Sequence, residues 1–203
     1  MNMKKKNKRK QGKEMDCQYK AFLFLFPFAA EEVQKDLLER LKNQPRPETL
    51  CGKEVPKTLN GISYGTLDDL STAGNEDDPA GACARILLGV KPEELLLEDV
   101  NDVFGFTNFV TAELKRINDL FKTIKIHYSR EEIAAGIREL DFGSFGVLDW
   151  YAKRMGITNQ NEVRSVAWVR IFQCMKNDAM RNNFERKLSE QYKMKSKTGN
   201  RKG

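Results

Sequence analysis

The sequence predicts a mainly α-helical protein: a helical bundle with a small β-hairpin in its N-terminal half and basic, disordered tails. Three observations carry this. Phe106, Val110, Leu114, Ile117, Phe121 and Ile124 step by four, four, three, four and three residues, which draws one apolar stripe on a long helix over about 99–125. Helix start and stop signals recur along the chain. Both ends are lysine-rich and lack apolar periodicity.

Taken in order, residues 1–18 read as a disordered basic tail. The apolar run 21–30 follows basic residues 4–13 and has the length of a signal-peptide core. Glu14 and Asp16 interrupt the approach and no A-x-A site follows, so the run reads as a short buried strand or extended segment leading into a helix. Residues 29–42 form a helical pattern with Val33, Leu37, Leu38 and Leu41 on one face, stopped by Pro45 and Pro47. Gly52-Lys53 suggests a hairpin, Pro56 limits it to an edge, and Asn60-Gly61 marks a turn. Thr66 is a cap for a helix through Thr72. Asp78-Pro79 opens a helix whose apolar side is Ala82, Cys83, Ile86 and Leu87 and which Gly89 closes, and Lys91-Pro92 starts a shorter one through Leu97.

Past the long helix, Ser129-Arg-Glu-Glu132 is a capping box for a helix to about Leu140. Ser144 can cap a helix with Phe145, Leu148, Tyr151 and Ala152 inward, ending at Gly156. Thr158 or Asn159 begins a last stretch over 160–192, apolar in a wide band up to Cys174 and sparsely so at Met180, Phe184, Leu188 and Tyr192. The expected domains are 19–126, hairpin plus helices, and 127–192, helical, with a basic tail at 193–203.

The net charge of +6 is unevenly spread. Residues 1–20 hold eight Lys/Arg and two acids, residues 193–203 five and none, leaving 22 Lys/Arg against 27 Asp/Glu between them. The tails therefore attract phosphate weakly and salt-sensitively, and weak nucleic-acid contact through them is expected. Trp150, Tyr151, Trp168 and Tyr192 interleave with bases, but their helical spacing reads as core. The four cysteines are isolated, as in a reducing compartment. No stretch approaches the roughly 20 apolar residues of a membrane span, and no membrane partner is expected.

Catalytic chemistry is sparse. His127 is the only histidine and sits at a helix junction. Asp141-Phe142-Gly143 repeats a kinase triplet without the accompanying loops, and no phosphate-loop, dinucleotide, nucleophile-elbow or zinc motif occurs. No enzyme, cofactor or metal site is expected. The acids of 68–102, among them Asp68, Asp69, Asp77, Asp78, Glu93, Glu94, Glu98 and Asp99, face only Arg85 and Lys91. They do not have EF-hand spacing. They are either a docking surface for a basic partner or helix-capping acids on a solvated face. Arg164, Arg170, Arg181 and Arg186 are the matching basic candidates.

Residues 50–104 run from a Gly-Lys hairpin through VPKTLNGISYGTLDDLSTAG to DDPAGACARILLGVKPEELLLEDVNDVF. This order resembles the small helical proteins in the tail-gene modules of long-tailed bacteriophages, described as tail assembly chaperones. Residues 142–178, FGSFGVLDWYAKRMGITNQNEVRSVAWVRIFQCMKND, are similar to a helical extension in such modules. The resemblance covers about two thirds of the chain. It implies a non-enzymatic assembly chaperone or scaffold in the host cytoplasm, with tape-measure or tail-tube proteins as partners. It leaves room for homo-oligomers, for association with the virion as a structural component, and for a nucleic-acid-associated role of the basic tails.

Overall fold

The computed structural model describes residues 17–199. They are mainly helical, with a two-stranded antiparallel sheet, as the sequence predicts. The chain forms two compact units. One comprises Thr72–Glu113 with the described residues up to Lys57, the other Thr58–Ser71 with the described residues from Leu114 onward. The sequence-based division at 126/127 differs from this one, because residues 58–71 hydrogen-bond with Arg116 and with residues 164–168.

In the first unit, α1 (Tyr19–Leu25) and a 3-10 turn (Phe26–Phe28) replace the expected extended segment. The cause lies far away in sequence. The carbonyls of Glu98 and Leu96 accept from the backbone N–H groups of Tyr19 (2.8 Å) and Lys20 (3.0 Å), satisfying the first helical donors. The carbonyl of Cys17 accepts from Val100 N–H at 2.9 Å, so Cys17 and Gln18 are ordered and the expected disorder of residues 1–16 lies outside the described residues. α2 (Glu31–Leu41) buries only Leu41 fully; Val33 and Leu38, expected inward, are exposed.

β1 (Thr49–Leu50) pairs with β2 (Lys53–Glu54) through a two-residue turn, Cys51-Gly52, one residue earlier than expected. Both turn residues have positive φ, 50° and 71°, as a primed hairpin turn demands. An added Cβ at Gly52 meets nothing within 4 Å, so Gly52→Ala tests backbone strain alone. It should lower stability by about 1 kcal/mol in urea unfolding. Gly61→Ala, where φ is not positive and space is equally open, should leave stability unchanged or slightly raised.

α4 (Pro79–Leu88) follows its signals: Asp78 accepts from Gly81 N–H and Gly89 closes the helix at φ 60°. Lys53 Nζ donates to the carbonyls of Leu88 (2.8 Å) and Gly89 (2.7 Å), placing a cation at the helix C-terminus. α5 (Pro92–Leu95) is shorter than expected. α6 (Val100–Lys122) is the long helix, and the chain passes from the first unit to the second within it. Val103, Phe106 and Val110 are buried in the first unit and Ile117 in the second.

In the second unit, α3 (Tyr64–Thr72, whose last residue falls in the first unit) starts two residues before its expected cap Thr66, because Ser63 Oγ accepts from Thr66 N–H at 3.1 Å. α7 (Arg130–Ala134) has the predicted capping box but ends early at Gly136, which takes φ 81° and leads into a 3-10 turn. α8 (Gly143–Met155) begins before Ser144, and Asp141 Oδ1 accepts from Gly143 N–H instead. Leu148, Tyr151 and Ala152 are buried as expected, whereas Phe145 is exposed. The last stretch divides into α9 (Gln160–Arg164), capped by Asn159, and α10 (Trp168–Gly199). The break arises because Tyr64 N–H donates to Val166 O at 2.8 Å and Trp168 N–H to Ile62 O at 3.3 Å. α10 carries the helix through 193–199, part of the expected basic tail; residues 200–203 lie outside the described residues.

Candidate functional site

α10 changes character along its length. Trp168, Ile171, Phe172 and Ala179 are buried. From Met180 onward the apolar side chains are exposed: Met180 63%, Phe184 64%, Leu188 37% and Tyr192 63%. These four recur every fourth residue and form one i±4 ridge, the element that interdigitates when two helices cross. Between Met180 and Lys195 lie Arg181, Arg186, Lys187, Lys193 and Lys195 against Glu185 and Glu190. The ridge is thus apolar with a basic flank.

Two of the flanking arginines are engaged within the second unit. Arg181 pairs with Glu185 at 3.2 Å. Arg186 pairs at 3.2 Å with Glu132, whose carboxylate also accepts from Ser129 N–H. The pair therefore ties the capping box of α7 to α10. Arg170 is exposed. Arg164 is not part of the ridge: it donates to Asp68 (3.1 Å), to Asp69 (2.6 Å) and to the carbonyl of Gly65 (3.3 Å). Gly65 lets Arg164 come this close, since a Cβ there would stand 3.0 Å from both Cβ and O of Arg164.

The acidic candidates divide accordingly. Asp68 and Asp69 belong to the second unit and neutralise Arg164. The others belong to the first. Asp78 accepts from both Gly81 N–H and Tyr19 Oη (3.0 Å each). Glu94 accepts from Lys91 N–H at the start of α5, and Asp99 accepts from Asn101 N–H. Asp77 and Glu93 are exposed and Glu98 is half-buried. Several of these acids thus serve helix starts, the second of the two readings open from sequence.

His127 is exposed, its backbone N–H donating to Asn183 Oδ1. Within the second unit, a groove of about 660 Å³ is lined by Tyr64, Leu67, Leu114, Phe121, Ser144 and Val147. It is apolar on most sides, and its acid, Asp68, is paired with Arg164.

The thiol of Cys51 is pushed up to about 12 from its ordinary 9.0, first by burial and then by Glu98, and burial also raises Cys83. Burial likewise lifts Tyr64 to about 12 from 10.0, with Asp68 adding to it. Tyr19 rises further, by burial and then Asp78. The folded protein holds these protons where the unfolded chain releases them. Stability from these groups is therefore complete below about pH 9 and is lost as pH rises from there toward about 12. Melting temperatures measured across that range should fall on the alkaline side. At pH 8, alkylation of Cys51 should be slow until denaturant is added.

The chain matches no protein-family model, no curated protein and no solved structure.

Proposed function

We propose that this protein is a non-enzymatic assembly chaperone or scaffold that takes an amphipathic partner helix along the α10 ridge. The observation that carries the reading is the ridge itself: four regularly spaced apolar side chains left in water on a helix whose earlier turns are buried. Monomeric proteins rarely leave such surface open without a use for it. A helix crossing an i±4 ridge inserts its own ridge beside it. The basic flank favours a partner whose helix carries acids beside its apolar face.

In a long-tailed phage, the partner classes are the tape-measure protein and the tail-tube subunit, and the place of action is the host cytoplasm. The test is copurification from cells that also make the other tail proteins. Recovery of tape-measure or tube protein with this chain is expected, and recovery of neither would overturn the reading.

A second reading is favoured by the continuation of α10 through the lysines at 193, 195 and 197: association with nucleic acid through the basic ends. A salt titration of DNA binding, with and without residues 1–20 and 193–203, separates it from the first. Unchanged affinity without the ends would rule it out.

A further inference from the structure

A second exposed apolar surface lies in the first unit. α1 and its 3-10 turn bury Tyr19 and Phe22, yet leave Leu23 (43% exposed), Phe24 (71%), Leu25 (59%) and Phe28 (82%) in water. This tip is held at its base. Tyr19 and Lys20 are bonded through their backbones to Glu98 and Leu96, Tyr19 Oη to Asp78, and the Phe22 ring stands edge-on to Phe104 at 5.3 Å.

The surroundings of the tip are acidic. Segments 17–35, 76–85 and 96–104 carry the tip or hold it through Tyr19 and Phe22, and they contain Lys20, Lys35 and Arg85 against eight Asp/Glu. Lys35 pairs with Glu31 at 2.7 Å and Arg85 with Glu76 at 3.0 Å, which leaves Lys20 against six acids. An apolar surface ringed by acids repels an anionic partner and favours one that is apolar and basic.

This chain carries such a surface itself. The α10 ridge of Met180, Phe184, Leu188 and Tyr192 is exposed, and residues 180–195 hold five Lys/Arg against two Asp/Glu. The spacing also agrees. Ridge side chains four residues apart stand about 6 Å apart along a helix axis. The rings of Phe24 and Phe28 have centroids 6.2 Å apart, so two rings can enter successive gaps between the ridge side chains.

We infer that the tip of one copy seats on the α10 ridge of a second copy, so that the protein associates head to tail. Tip and ridge are different surfaces, so the contact is heterologous, and each added copy presents one ridge and one tip again. This rests on the partner-helix reading of the same ridge and names its occupant when no other protein is present. The tip offers apolar side chains beside acids, the chemistry that the ridge takes from a partner helix, so the two compete.

The test is sedimentation velocity of the purified full chain. The sedimentation coefficient should rise with concentration past that of a dimer and fall back as salt is added. Phe24→Ser/Phe28→Ser and Phe184→Asp/Leu188→Asp should each weaken association by about tenfold or more, with unchanged melting. Mixing the two variants decides the geometry. One keeps its ridge and the other its tip, so the equimolar mixture should form a one-to-one pair and grow no further. Phe28→Asp alone, at the most exposed of the four side chains, gives the same readout if the double tip variant does not fold. A monomer at every concentration, or undiminished association of either folded variant, would overturn the head-to-tail contact. So would a mixture that stays monomeric, because like surfaces would then meet in the unaltered protein. Copurification of tail proteins is read separately, so failure of this contact and failure of the partner-helix reading are told apart.

Discussion

Trp168→Ala is expected to lower unfolding free energy by about 4 kcal/mol. Trp168 is 2% exposed and opens α10. Its ring packs against Phe121 and Phe172, with centroids 6.1 and 6.3 Å away. Its Nε1–H donates to the carbonyl of Leu59 at 2.7 Å, and its backbone N–H to Ile62. Truncation removes the ring and leaves a cavity that the surrounding helices fill only in part. It also strips a buried carbonyl of its donor. Trp168→Phe separates the two contributions: it restores much of the volume but not the donor, and should cost about 2 kcal/mol. Urea unfolding followed by circular dichroism reads the total. Amide exchange over residues 59–64 reads the local part, because those residues hang on Trp168 and Val166.

Gly105→Val should cost about 3 kcal/mol, although a glycine inside a helix is ordinarily a weakness that a side chain repairs. Gly105 is buried in α6, and a Cβ placed there would run into the carbonyl oxygen of Pro45, with Pro47 close by. That neighbour is backbone. The segment around it is fastened nearby: Asn108 Nδ2 donates to Leu41 O at 2.8 Å, and Arg46 donates to Val55 O at 2.8 Å while lying over the Phe109 ring. It cannot yield as a flexible side chain would. Gly105→Ala should already lower the melting temperature. An unchanged melting temperature would show that the 45–47 segment moves aside.

Much of the fold was legible because its signals are local. Asp78-Pro79 with Gly89, Ser129 with Glu132, Asn159 and the α6 stripe each satisfy their own backbone groups or display their own period, and each marks a helix, although those opened at Ser129 and Asn159 end earlier than expected. What could not be read depends on partners distant in the chain. α1 is helical because carbonyls near residue 97 receive its first N–H groups. The break between α9 and α10 exists because residues 166 and 168 bond to 62–64. Asp69 finds Arg164 across 95 positions. Apolar periodicity also reports which side chains share a face without reporting whether that face is covered. Val33 and Phe184 have the same kind of spacing as Phe106, and only Phe106 is buried. The acidic and basic candidates were visible as charge, but their division into caps, internal pairs and exposed flank required the structure.

The proposed docking of a partner helix on the exposed ridge of α10 is probed by Phe184→Asp/Leu188→Asp, since both side chains are exposed and neither belongs to the core. The double variant should melt as the unaltered protein does. In cells making the tail proteins, it should lose the copurifying tape-measure or tube protein by at least about tenfold, as the loss of two central apolar contacts to repelled charge implies. Equal recovery of that partner with the folded double variant would show that the ridge does not hold it.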